Sequence, residues 1–122
     1  MNATAKALWI QELDNYTQGT EVLRTADDTY CCLGVLCQAY HEATGLGEWV
    51  QTPQGHYMFK TETDYNVFLL PVEVRDWAGL ATSAPELLYN GEYEGISVLN
   101  DGNSRIDGLP FSEIKELIRE QL

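Results

Sequence analysis

Residues 30–40 read Tyr-Cys-Cys-Leu-Gly-Val-Leu-Cys-Gln-Ala-Tyr, an almost unbroken apolar run in a chain that is otherwise polar and acidic. A run of this kind has to lie at the centre of a core. Its length, and the i, i+3, i+4, i+7 spacing of Leu33, Leu36, Cys37 and Tyr40, predict a buried helix over about residues 31–43 rather than a strand. A buried helix explains a fold but performs no reaction, so function has to be sought in what surrounds it.

The flanking segments supply partners for that helix. Ala5, Leu8, Trp9, Leu13 and Tyr16 recur at helical spacing and predict a first helix over 3–16, with Asn2 or Thr4 to cap it. Glu21 to Arg24 reads as a short extended segment before a turn at 26–29, and Thr44-Gly45-Leu46-Gly47 stops the central helix. Trp49-Val50-Gln51 and Tyr57-Met58-Phe59 flank Thr52-Pro53-Gln54-Gly55 and predict a β-hairpin over about 49–59. Val67 to Leu70 would add a third strand, and Pro71 would open a short helix over 72–78 that Gly79 closes, with Leu80 packing back on it. Leu87-Leu88-Tyr89 reads as a turn of helix and Ile96 to Leu99 as a strand or a short helix. Phe111, Ile114, Leu117, Ile118 and Leu122 form the apolar stripe of a last helix, with Glu113, Glu116 and Glu120 toward solvent. The expected fold is α+β in one domain over 1–122. A small antiparallel sheet packs on the central cysteine-containing helix, which the N- and C-terminal helices flank.

Composition narrows the function classes. A chain of 122 residues can bury one sizeable core, and no stretch approaches the roughly 20 apolar residues of a membrane span. The first residues lack the apolar run of a signal peptide, and three cysteines within seven residues, two of them adjacent, suit reduced thiols better than a disulfide framework. A cytosolic protein is expected. The net charge of −12 argues against direct nucleic-acid binding and against an anionic membrane, and favours a basic partner; solubility alone is the competing explanation.

Reactive groups are few. A metal site needs about four ligands, and only His41 and His56 accompany the thiols, so no metal or cofactor is expected and the cysteines read as core. The carboxylates at Asp27-Asp28, Glu92, Glu94 and Asp101 read as solvated turns. Gly34 stands alone in a helix, where it allows close helix packing rather than phosphate binding. Trp9, Trp77 and Phe111 sit on helical stripes as core. Trp49, Tyr57, Tyr65, Tyr89 and Tyr93 lie in or beside the hairpin and loops and are candidates for binding, since rigid aromatic surfaces anchor partners or stack on bases. Arg24, Arg75 and Arg105 are the candidates to meet phosphates.

The run Tyr30-Cys31-Cys32-Leu33-Gly34-Val35-Leu36-Cys37, then Leu70-Pro71-Val72-Glu73-Val74-Arg75-Asp76-Trp77-Ala78-Gly79-Leu80, then Leu99-Asn100-Asp101-Gly102 and a closing Phe111-Ser112-Glu113-Ile114 helix, resembles a family of small uncharacterised proteins of tailed bacteriophages and prophages. The likeness runs from about Leu8 to the C-terminus. In that family the closing segment follows Asn-Asp almost directly, whereas here residues 103–108 intervene. The resemblance brings no catalytic residues. It implies a small accessory protein in the cytosol of an infected bacterium, and by analogy a non-catalytic protein that binds a host factor in counter-defence or host takeover. The acidic surface would face a host protein with a basic surface. The alternatives are a sponge that sequesters a nucleotide immune signal, which a homo-oligomer could assist by pooling arginines; an acidic DNA-mimic inhibitor; a thiol-dependent enzyme; and a virion assembly role.

Overall fold

The computed structural model describes all 122 residues, and the apolar run forms helix α2, Cys32–Thr44. Cys31 caps it in extended conformation, its sulfur accepting the Gly34 N–H at 3.4 Å, and Gly45 closes it at φ 72°. Helix α1, Ala3–Glu12, starts on Asn2, whose side chain accepts the Ala5 N–H at 2.9 Å. Trp9 is fully buried against α2 and donates its indole N–H to the Cys32 carbonyl at 2.8 Å. This helix is shorter than its apolar spacing predicts. Asp14 and Asn15 bond back to Gln11 and Glu12, a tighter i−3 pattern suited to turn-forming residues, and Tyr16 leaves the helix to lie edge-on to Tyr30.

Between α1 and α2 the chain crosses the face of α2 at Gly34. A Cβ there would stand 1.9 Å from the Leu23 carbonyl oxygen, so the close approach that Gly34 permits is that of extended backbone rather than of a second helix. Leu23 is fully buried, accepts the Cys31 N–H at 3.2 Å and donates to the Val67 carbonyl at 2.8 Å.

Strands β1, Glu48–Gln51, and β2, Tyr57–Lys60, form the predicted hairpin, with Trp49 opposite Phe59. Phe59 is fully buried, its ring 4.8 Å from Trp49 and 6.2 Å from Tyr40 of α2. The third strand, β3, is Tyr65–Asn66 and not Val67 to Leu70. A tight turn at Thr61–Asp64 places Tyr65 opposite Lys60, and the Asn66 side chain then captures the N–H groups of Phe68 and Leu69 and bends the chain out of the ladder. Helix α3, Val72–Ala78, follows Pro71 and ends at Gly79, φ 71°, with Leu80 buried and bonded back to Arg75.

Residues 86–95 form a second hairpin rather than a helical turn: β4, Glu86–Tyr89, pairs with β5, Glu92–Gly95. Asn90 and Gly91 both take positive φ, the geometry that a two-residue hairpin turn demands. Helix α4, Ile96–Asp101, and helix α5, Phe111–Gln121, complete an α+β fold of five helices and two antiparallel sheets. The core is one cluster of 24 buried residues. Helix α2 packs on α1, α3 and α4, while α5 reaches the core through α1, α4 and β4, so the C-terminal helix flanks α2 by way of its neighbours. No helix is long and apolar enough to cross a membrane.

One polar knot sits inside this packing. Asn100, 2% exposed, accepts the Cys32 N–H at 3.1 Å and a Gln18 amide N–H at 3.3 Å, and donates to the Gly19 carbonyl at 2.9 Å and to Asp101. Gln18 continues it, donating to the Leu109 carbonyl at 2.8 Å and accepting the Phe111 N–H at 3.0 Å, which satisfies one donor at the start of α5.

Candidate interaction surface

The thiols are not accessible. Cys32 and Cys37 are fully buried and Cys31 nearly so; burial pushes the Cys31 thiol up to about 11 and the other two well above their ordinary value. A thiol held protonated is neither a nucleophile nor a metal ligand. No group of three or more His, Cys, Asp and Glu side chains converges anywhere in the fold.

Of the eight candidate binding residues, Arg24, Trp49 and Tyr57 come together, but onto one another. The Arg24 guanidinium lies 4.2 Å from the Tyr57 ring centre, 5.4 Å from Tyr30 and 5.6 Å from Trp49, and pairs with Asp28 at 2.6 Å. The Tyr57 N–H bonds to the Arg24 carbonyl and the Trp49 indole to Gln38, so this aromatic box fastens the first hairpin to the body of the fold. Tyr30 and Asp28, missing from the sequence-based set, complete it.

Arg105 bridges Glu92 at 3.1 Å and Glu94 at 2.9 Å, and Arg75 pairs with its neighbour Asp76 at 3.1 Å. Each of the three candidate arginines therefore already faces a carboxylate, and a phosphate arriving at any of them has to displace it. Strand alternation puts Tyr93, 69% exposed, on the face of β5 opposite to Glu92 and Glu94, while Tyr89 is half-buried.

The remaining candidate, Tyr65, belongs to the largest exposed apolar segment. Within eight residues Tyr65 (67% exposed), Phe68 (58%), Leu69 (38%) and Val72 (39%) point outward, while Leu70 and Pro71 are buried. The segment is held at both ends and in the middle. Asp64 accepts the Tyr65 N–H at 2.8 Å with one carboxylate oxygen and the Val72 N–H at 2.9 Å with the other, closing the neck of the loop. Asn66 Oδ1 takes the Phe68 and Leu69 N–H groups at 2.9 and 3.0 Å. Val67 accepts from Leu23 at 2.8 Å, and Leu70 donates to the Ser83 carbonyl at 3.1 Å.

Acidic residues border the loop. From Glu62 to Asp76 there are four carboxylates and one cation, Arg75. With Arg75 paired to Asp76, and Glu73 accepting the hydroxyls of Thr61 and Thr63, the charges of Glu62, Asp64 and Glu73 have no cation against them. Phe68, Leu69 and Val72 were not among the candidates from sequence; the Asp64 and Asn66 positions, residue types that bind nearby backbone N–H groups, were the signal that the apolar run is a loop. The one cleft in the surface lies elsewhere, about 320 Å³ lined by Gly45, Leu46, Gly47, Glu48, Lys60, Thr61 and Glu62, with Leu46 its one apolar residue.

No curated protein and no solved structure matches the chain. One family model does, over residues 1–122, and the chain therefore belongs to the family described as domain of unknown function DUF8296.

Proposed function

We propose that this chain is a non-catalytic accessory protein of tailed-phage origin that binds a host protein in the bacterial cytosol, in counter-defence or host takeover. The observation that carries the reading is the Tyr65–Val72 loop: four exposed apolar side chains on a backbone already fixed by its own hydrogen bonds. Exposing such side chains costs solubility, and fixing them in advance removes the ordering cost that a flexible loop meets on binding, which is how binding anchors are built. The surplus of carboxylates around them steers a basic partner toward the loop. The buried, protonated thiols support a role without covalent chemistry.

Photo-crosslinking in cells of the bacterial host tests this. A photo-reactive phenylalanine analogue in place of Phe68 is expected to trap one host protein in high yield, and the same analogue in place of the exposed Gln51 of β1 to trap none. Absence of an adduct from position 68, or the same adducts from both positions, contradicts the proposal.

A further inference from the structure

The Tyr65–Val72 loop also constrains what kind of element can sit on it, an inference that rests on the binding function just proposed. No cavity lies at the loop; the only cleft is lined by other residues, so the surface does not enclose a small molecule, which needs concave walls. Most of its backbone donors are taken as well. The N–H groups of Tyr65, Phe68, Leu69, Leu70 and Val72 are all bonded within the chain, and the Val67 carbonyl is taken by Leu23. A partner strand therefore finds no free donor at these five positions, which disfavours strand addition, a mode made of main-chain hydrogen bonds.

What the loop offers is side chains: two aromatic rings, a leucine and a valine, with Glu62, Asp64 and Glu73 around them against one cation in no ion pair, Lys60 opposite Tyr65. A second copy of the chain brings the same carboxylates and is repelled. We propose that the Tyr65–Val72 surface is occupied by an amphipathic helix of the partner, apolar side chains on its contact face and Lys or Arg along the margins. A helix satisfies its own backbone and so contacts this surface through side chains alone, and its basic margins meet the acidic border while its apolar stripe covers Phe68 and Leu69.

A titration of the folded chain, followed residue by residue by NMR, tests this with a synthetic peptide of roughly four helical turns, leucines on one face and lysines on the other. The expected result is amide shifts confined to residues 62–76, an affinity that falls as salt rises, and a loss of about tenfold or more in Phe68→Ser/Leu69→Ser. Leu46→Ser, which removes an exposed leucine outside residues 62–76, leaves the affinity unchanged. Shifts centred outside 62–76, equal affinity for the double variant, or equal affinity for a peptide with glutamates in place of the lysines overturns the proposal. Failure of the peptide while the crosslink from position 68 persists removes the basic helix and keeps the binding function; loss of the crosslink removes the binding function itself.

Discussion

Asn100 and Asn66 use the same side chain to organise backbone, with opposite consequences. Asn100 is buried and gathers groups from Gln18, Gly19 and Cys32, 68 to 82 residues away in sequence. Asn66 takes two N–H groups two and three residues ahead of it, at the surface. The first bond set exists only when the whole chain is folded, and removing it strands the buried Cys32 N–H and leaves half-buried groups of Gln18 and Gly19 without their partner. The second shapes a local loop whose outward side chains contribute little to the core. The fold's integrity and its candidate contact surface are thus maintained by different residues, joined where Leu23 bonds to both Cys31 and Val67.

That separation can be broken experimentally, beginning where the effect is greatest. Gly34→Ala places a methyl group on the Leu23 carbonyl in fully buried surroundings, and a loss of about 3 kcal/mol or more is expected in denaturant unfolding. A loss below about 1 kcal/mol would mean that the chain crossing at Leu23 can be displaced cheaply. Asn100→Ala should cost about 2–4 kcal/mol, since it removes partners from buried and half-buried groups at once, against about 1 kcal/mol or less for Asn66→Ala, whose bonds are at the surface. Equal costs at the two asparagines would abolish the distinction drawn between them.

The buried thiols make a further difference between the regions measurable. Their pKa values are raised in the folded chain by burial, Cys31 from 9.0 to about 11 and Cys32 and Cys37 well above 9.0. Above pH 9 the unfolded chain therefore loses thiol protons that the folded chain keeps; the folded state binds more protons, and stability falls as pH rises from 9 through about 11. Denaturant midpoints measured across that window should decline, and at neutral pH all three thiols should resist alkylation until the chain unfolds. Rapid labelling of one thiol in the native protein would reopen the thiol-dependent reading.

Helices α2 and α5 were legible because apolar residues recur at helical spacing, and α3 because Pro71 and Gly79 sit where it opens and closes. The β4–β5 hairpin was not, because Leu87-Leu88-Tyr89 is too short to show alternation; Asn90-Gly91 carried the information. The Asn100 knot was invisible, since a buried asparagine reads in sequence like any turn residue. Among the binding candidates, Arg24, Trp49 and Tyr57 pack onto one another in the fold, a contact that their separation in sequence did not show. The exposure of Phe68 and Leu69 depends on where Asp64 and Asn66 reach, a three-dimensional fact that apolar content alone reads as a strand.

The smallest expected effect on stability is the most informative. Phe68→Ser/Leu69→Ser should change unfolding free energy by no more than about 1 kcal/mol, because Phe68 stands mainly in water and Leu69, 38% exposed, lies outside the buried core. Thermal unfolding of this double variant and its capacity to compete with the unaltered chain for the host protein trapped from position 68 form the most direct test. Native stability with competition lost is the predicted result; native stability with competition intact would contradict the assignment of the Tyr65–Val72 loop as the contact surface.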